Sequence, residues 1–268
     1  LSLAAEPVAK ALLGRFGSVS LVGYFEMANR LVIALRTLFV SANQVALPRF
    51  ARDRLQGAAR TRDTLSATYR LTFFSAVPAF IALVVMAPLV SWAWLGSHVP
   101  AFVDTLMLLS LAWLANTLAV PAYFASLGTG ELRPNLVSHV LMSVVNVAGG
   151  WVLGSALGGA GVLAAWSTAL AVSAVPLLAV NFGRGRLPAA ELVPHGLRPL
   201  ALAGTVAVLV AFLAYGPAAA TSPPDPAATV VVAVTALVAL LLAMLGRATR
   251  DEIGMLVARV TGPAGPRP

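Results

Sequence analysis

The sequence predicts an all-α fold, a polytopic transmembrane helical bundle of about seven helices. Hydrophobic residues make up 59% of the 268 residues and charged residues only 10%, whereas about 25% of the residues of a typical soluble domain are charged. The apolar residues form long runs, and the basic residues lie in the short loops between them. So few charges could not keep a soluble surface hydrated, but lipid can act as the solvent instead.

Five stretches contain no Asp, Glu, Lys or Arg: 71–103, 105–130, 134–183, 199–224 and 226–246. A helix needs about 20 apolar residues to cross a hydrocarbon core. Stretch 134–183 would be about 75 Å long as one helix, so it must fold back, and Gly158-Gly159 is the natural turn. The segment from Val19 to Leu47 is also long enough to span, although it carries three charges, and Pro48 ends it.

The predicted spans are therefore 20–46, 71–95, 103–127, 135–157, 160–182, 199–216 and 228–246. Residues 1–14 are predicted to be the end of a further helix. Because the chain starts at Leu1 within such a segment and shows no signal peptide, we expect it to be the C-terminal part of a longer polypeptide.

Basic loops alternate with non-basic loops, which sets the expected orientation. Loop 49–70 holds six arginines against two aspartates, loop 183–198 holds three arginines, and the end of the chain holds four. The positive-inside rule places these loops and loop 128–134 in the cytoplasm. We therefore predict a transmembrane lobe over 1–248 and a cytoplasmic tail over 249–268, in a bacterial inner (plasma) membrane. Residues 49–66 form either a helix on the anionic leaflet or a solvated loop.

The sequence offers no convincing catalytic or metal-binding constellation. It has no cysteine, its three histidines are scattered, and the Walker lysine, GxSxG and HExxH motifs are absent. Its positive charge forms no continuous stripe, which argues against nucleic acid as a partner. The glycines between 149 and 161 fit close helix packing better than phosphate binding. We predict a non-enzymatic protein without cofactor or metal.

Polar residues inside the spans are the candidate functional residues, because a charge at mid-membrane costs at least about 2.5–3.5 kcal/mol and normally faces the bundle or a wet cavity. Glu26 and Arg30 share a helix face, so a local ion pair and a substrate-binding role are both open. Arg30 and Arg36 are candidates to line a cavity for an anionic substrate. The remaining candidates, for which a hydrogen bond between helices is the alternative role, are Asn43, Gln44, His139, Asn116 and Asn146.

Three motifs in order resemble those of polysaccharide-export flippases. Residues 22–31 (VGYFEMANRL) resemble the signature "vGyY-x-x-A-x-rl", and residues 44–52 (QVALPRFAR) resemble its ending "lfP-x-lar". Asn146-Val147, followed by residues 158–165 (GGAGVLAA), resembles a helical hairpin of the same proteins. Two departures are Phe25, where the family often has Tyr, and the lack of a second Asn and a Pro in 147–157.

Over roughly residues 5–185 the chain therefore resembles the Wzx-like polysaccharide or O-antigen flippases. These form the oligosaccharide flippase family of the multidrug/oligosaccharidyl-lipid/polysaccharide (MOP) superfamily, which includes lipid II flippases and the cation-coupled (MATE) exporters. The resemblance implies 12–14 helices in two lobes around a central cavity. This chain would be the C-terminal lobe, helices eight to fourteen, and the N-terminal half of the transporter would be its partner.

The resemblance further implies that the protein flips undecaprenyl-pyrophosphate-linked oligosaccharide for O-antigen, capsule or exopolysaccharide biosynthesis. Membrane lipid and a polysaccharide polymerase would be further partners. Arg30 and Arg36 would bind the diphosphate, since arginine binds phosphate oxygens through a planar fork.

Other functions stay open beside this one. One is a lipid II flippase or a cation-coupled exporter of the same superfamily. Another is a membrane-bound glycan polymerase or a non-transporting scaffold. An exporter should carry carboxylates in the membrane, and only Glu26 qualifies, with Asp104 at an edge. A polymerase should have a large outer loop, whereas the longest one here is short.

Overall fold

The computed structural model describes residues 2–183, 187–188, 192–216, 225–246, 250–251 and 253–254. Every regular element in these ranges is a helix, which confirms the all-α fold. In chain order the helices are α1 Ser2–Phe16, α2 Val19–Gln44, α3 Leu47–Gln56, α4 Ala58–Val85, α5 Ala87–Leu95, α6 Pro100–Leu118, α7 Val120–Thr129, α8 Arg133–Val144, α9 Gly150–Gly183, α10 Arg198–Tyr215 and α11 Pro226–Leu245. A π-helical turn, Val145–Gly149, joins α8 to α9.

Six stretches of the described chain are long and apolar enough to cross a membrane: Val19–Gln56, Ala58–Val85, Pro100–Thr129, Arg133–Phe182, His195–Tyr215 and Pro226–Leu245. The longest of them is broken at Gly158, where φ is 64° and ψ is −146°. This backbone conformation is essentially restricted to glycine, and it confirms the predicted turn. The two arms lie against each other, and the Ser138 hydroxyl of one donates to the Ser173 carbonyl of the other (2.5 Å).

The chain is thus a multi-pass membrane protein. Which helices cross, and in which direction, stays a prediction. The predicted span 71–95 differs most from the observed elements, because α4 begins at Ala58 and ends at Val85, and α5 follows it. The predicted tail 249–268 lies almost wholly outside the described residues, as do Arg184 and Arg186 of the predicted basic loop.

Prolines explain three of the breaks between helices. Pro48, Pro88 and Pro121 each lie in the first turn of a helix, α3, α5 and α7, that continues from the one before it. Proline lacks the amide hydrogen that would bond one turn back, and its ring clashes with the carbonyl there. The chain consequently bends at the residues just before each proline, which divides long apolar runs into shorter helices.

The loop after α2 forms the helix α3, which lies at one end of the bundle. Phe50 of α3 is fully buried, and Asp53 accepts a hydrogen bond from the Thr64 hydroxyl of α4 (2.6 Å). Arg52 and Arg54 are exposed on the other side. The segment 49–66 is therefore helical, with one side packed on the bundle and the other side exposed. Its contact with a lipid surface stays a prediction.

The core lies between α2, α4, α6 and α9. Phe25 and Trp166 are buried there with their rings edge to face, 6.0 Å apart between centroids, a favourable aromatic geometry. Helices α10 and α11 pack on α4 and expose large aliphatic residues, among them Leu202, Val206, Leu213, Val231, Val234 and Leu242. Apart from Arg198, Thr205 and Thr235 the exposed side chains of these two helices are aliphatic, and such a surface suits lipid and not water.

Candidate functional site

Helix α2 carries most of the predicted site residues, and its two sides differ. The Ser18 hydroxyl caps its start by accepting from the Leu21 amide (3.1 Å). Exposed residues recur at helical spacing along one side, which we call the open face of α2: Gly23, Arg30, Ala34, Thr37, Ser41 and Gln44. Apart from Val19 at its start and Leu38 beside it, this face is built from small and polar residues. It contrasts with the aliphatic surfaces of α10 and α11.

Arg30 belongs to a charged cluster that joins α1 to α2. Its Nε donates to Oε1 of Glu26 (2.7 Å), and Oε2 of Glu26 also pairs with the Lys10 ammonium. Lys10 in turn contacts Glu6 one turn away on α1 (2.7 Å). The predicted local ion pair of Glu26 and Arg30 is confirmed. Because two acids and two bases alternate, the cluster is neutral as a whole.

Sequence reasoning missed Glu6 and Lys10, although a signal was present. They form an i, i+4 pair of opposite charge, as Glu26 and Arg30 do, and the two pairs lie at similar distances from the turn at Gly17. A helical hairpin with that turn brings the pairs side by side.

The Arg30 side chain is 78% exposed. The charged cluster therefore anchors this arginine without burying it.

Arg36 lies on a different side of α2. A turn of about 100° per residue places it about 120° around the helix from Arg30. Its Nη2 donates to the Asn116 Oδ1 of α6 (3.1 Å), and its guanidinium carbon lies 4.8 Å from the ring centroid of Trp113. The structure therefore does not bring Arg30 and Arg36 together. One faces outward and the other faces the interior of the lobe.

A cavity of about 320 Å³ lies next to Arg36, inside the lobe. Its polar lining comes from six further residues on five helices: Glu6, Asn116, Tyr123, Ser138, His139 and Ser173. Apolar side chains, among them Trp166 and Met142, complete the wall. His139 thus lies where a cavity role is possible, and its ring is edge to face with Tyr123, 6.1 Å between centroids. We call this space the lobe cavity.

The other two candidates of α2 lie apart from the lobe cavity. Asn43 is buried and donates to the Phe39 carbonyl (2.8 Å) and to the Thr72 hydroxyl of α4 (3.0 Å). The alternative role, a hydrogen bond between helices, is confirmed for Asn43. Gln44 is exposed at the end of the open face. Its predicted contact with substrate stays a prediction.

Buried asparagines form hydrogen bonds between helices around the lobe cavity. The Trp113 indole N–H donates to the buried Asn29 Oδ1 (3.0 Å), which fixes the ring beneath Arg36. Asn146 donates to the Ala5 carbonyl (2.8 Å) and ties the π-helical turn to α1. Asn146 therefore makes the predicted hydrogen bond between helices, and its contact with a substrate stays a prediction. No group of three or more His, Cys, Asp or Glu residues suited to a metal occurs within the described ranges.

Comparison with known proteins agrees with this architecture. Residues 1–104 match the family described as "Polysaccharide biosynthesis protein". A solved structure of the lipid II flippase MurJ, in an inward closed conformation, superposes on 92% of this chain with a TM-score of 0.64 and 16% sequence identity. The match covers 50% of the MurJ chain, so this chain spans about half the length of that protein. No curated protein matches the sequence.

The similarity to MurJ shows the fold, and the family match covers the helices α1 to α5 with the first residues of α6. The fold agrees with the transmembrane lobe that the sequence predicts, and the family match includes the first two of the three sequence motifs, at 22–31 and 44–52. Together they confirm the resemblance of this chain to the Wzx-like polysaccharide flippases.

Proposed function

We propose that this chain is one lobe of a flippase that moves undecaprenyl-pyrophosphate-linked oligosaccharide across the inner membrane for polysaccharide biosynthesis. The family match and the flippase fold support translocation of a lipid-linked molecule. The second lobe would be the N-terminal half of the same transporter. The basic loops and the C-terminus of this chain would be cytoplasmic. A polysaccharide polymerase would take over the product. The function requires no cofactor.

The observation that carries the proposal is the open face of α2. A membrane helix exposed to lipid presents mainly aliphatic side chains, as α10 and α11 do apart from Arg198, Thr205 and Thr235. The open face presents Arg30, Thr37, Ser41 and Gln44 instead, and an exposed arginine in hydrocarbon is costly. We infer that this face borders the hydrated cavity between the two lobes, where polar sugars can pass.

Arg30 is the best placed residue for the diphosphate of the substrate. Its bond to Glu26 uses the Nε–H, which is one of five guanidinium donors. The Nη donors can therefore form a planar fork for phosphate oxygens. Glu26 and Lys10 hold the arginine in place and balance its charge in the absence of substrate. Gln44, further along the same face, can contact sugar hydroxyls.

The test is Arg30→Gln in the full-length transporter in its own cell. Losing a charged hydrogen bond of about 1.5–3 kcal/mol should lower polymer export about 10- to 100-fold. Surface polysaccharide is measured, and membrane-inserted protein is quantified in parallel. The matched control is Arg62→Gln, which removes an exposed arginine near the start of α4 and should leave export unchanged. Normal export by a fully inserted Arg30→Gln protein would refute the role of Arg30.

A lipid II flippase is the second candidate, and the fold of MurJ favours it. Its substrate also carries a diphosphate on a polyprenyl lipid, so the open face does not distinguish the two. Depletion of the protein does. If it flips lipid II, cells should lyse as peptidoglycan synthesis stops. Growth with normal peptidoglycan but without surface polysaccharide supports the first candidate.

A further inference from the structure

The lobe cavity, with Arg36 in its wall, is a second polar site that the open face of α2 does not include. Arg36 is held from two sides by neutral groups. The Trp113 ring lies under its guanidinium, and Asn116 accepts from its Nη2. A cation over an aromatic face is stabilised, but neither group supplies a negative charge.

Hydrogen bonds fix the direction in which Asn116 points. Its Nδ2 donates to the Ser173 hydroxyl oxygen (3.0 Å). The Ser173 hydroxyl itself donates its hydrogen to the Leu170 carbonyl (2.7 Å). Ser173 therefore accepts from Asn116 and cannot donate to it. The amide oxygen of Asn116 is left to face Arg36, so the cavity wall is built around a guanidinium.

The charge of Arg36 has no protein counter-charge in the part of the chain that the structure describes. No carboxylate oxygen of those residues lies within 4.0 Å of its nitrogens, since the recorded ion pairs join other residues. Glu6 also lines the cavity, but Lys10 neutralises it. The buried Arg36 Nε has no hydrogen-bond partner among the described residues. Arg36 as a whole is half-buried, and a charge that is partly removed from water without a counter-charge is unfavourable.

We propose that the lobe cavity binds a small inorganic anion, with the size and single charge of chloride, against the guanidinium of Arg36. The anion supplies the missing charge and accepts from the unpartnered Nε–H. The cavity volume of about 320 Å³ equals that of about ten water molecules at about 30 Å³ each, so the anion keeps part of its hydration. Tyr123 and His139 in the same wall carry further donors.

The test is the thermal stability of the purified full-length transporter as sodium chloride replaces sodium gluconate at constant ionic strength. A ligand that binds only the folded state stabilises it. Chloride at ten times its Kd should raise Tm by about 1–3 °C for a transporter of about twice this length, and the rise should saturate. If wild-type Tm does not respond to chloride, the inference is wrong.

Two variants locate the site. Asn116→Asp places a carboxylate oxygen where the Asn116 Oδ1 already accepts from Arg36, so a built-in counter-charge should replace the anion and abolish the chloride response. Arg36→Gln should abolish it by removing the cation. Arg62→Gln, exposed on α4, is the matched control and should respond as wild type does. If Arg36→Gln does not fold, the chloride response of Asn116→Asp alone tests whether the anion binds at Arg36.

A full chloride response in Asn116→Asp would place the anion elsewhere and overturn the inference. A rise in Tm with inorganic pyrophosphate, absent with chloride and lost in Arg36→Gln, would assign the cavity to the diphosphate of the substrate, which also overturns it. The inference does not rest on the proposed function. Arg30→Gln tests translocation, and its chloride response should stay intact.

Discussion

Gly161 is the position at which the packing of the helical hairpin can be tested most directly. It lies in the second arm of α9, directly against the backbone of the first arm. A Cβ built on Gly161 would lie far inside the van der Waals distance of the Leu153 carbonyl. Gly149 is a matched control in the same hairpin, since a Cβ there would lie 3.5 Å from the Ala165 Cβ, an ordinary contact.

The structure gives the size of the effect of Gly161→Ala. A clash with a flexible side chain can be relieved by a new rotamer, but Leu153 contributes backbone atoms, so the arms must separate. Overpacking of this kind costs about 1–3 kcal/mol, and alanine recovers about 0.5–1 kcal/mol through its higher helix propensity. Gly149→Ala gains the stabilisation from helix propensity without the cost of overpacking. We expect the two variants to differ by about 2 kcal/mol in stability.

The assay is the thermal unfolding of both variants in the same detergent. A difference of about 2 kcal/mol should appear as a Tm about 4–8 °C lower for Gly161→Ala than for Gly149→Ala. Both proteins lose one glycine and gain one methyl group, so helix propensity cancels in the comparison. If Gly161→Ala melts at or above the temperature of Gly149→Ala, these glycines do not serve close packing and the reasoning is wrong.

Two further predictions concern the turn and the contact between α2 and α4. Gly158→Ala should lower the free energy of unfolding by about 1–3 kcal/mol, since any Cβ is strained at this backbone conformation; an unchanged Tm would contradict the observed turn. For Asn43 and Thr72, a double-mutant cycle with Asn43→Ala and Thr72→Ala should give a coupling energy of about 0.6 kcal/mol, the average for hydrogen bonds between membrane helices, and at most about 1.7 kcal/mol. Additive effects of the two changes on unfolding would show that their bond contributes nothing.

Much of the architecture followed from the sequence because lipid imposes a strong constraint. A helix in hydrocarbon must be apolar over a fixed length, so the charge-free runs marked the helices, and a run of double length required a turn. Gly158 was recognisable because a tight turn inside an apolar run needs a residue that tolerates positive φ. The early start of α4 at Ala58 was harder to predict, because its first turns are polar and leave the apolar run.

The candidate site was only partly predictable. The pair of Glu26 and Arg30 followed from helix geometry alone, as their spacing puts them on one face. The same geometry separates Arg30 from Arg36, because six residues do not return to the same side of a helix. The links from Asn43 to Thr72 and from Arg36 to Asn116 join residues far apart in the sequence. No local pattern identifies such partners.

The sequence by itself therefore determined the fold class, the helical hairpin and the charged residues within membrane helices, because these depend on local composition and periodicity. Only the tertiary structure decided which side of α2 faces outward and which borders the lobe cavity. That outcome depends on how the other helices pack around α2, and packing is set by the fit of many side chains at once. It is the reason that Arg30 and Arg36, similar in sequence context, occupy two different sites.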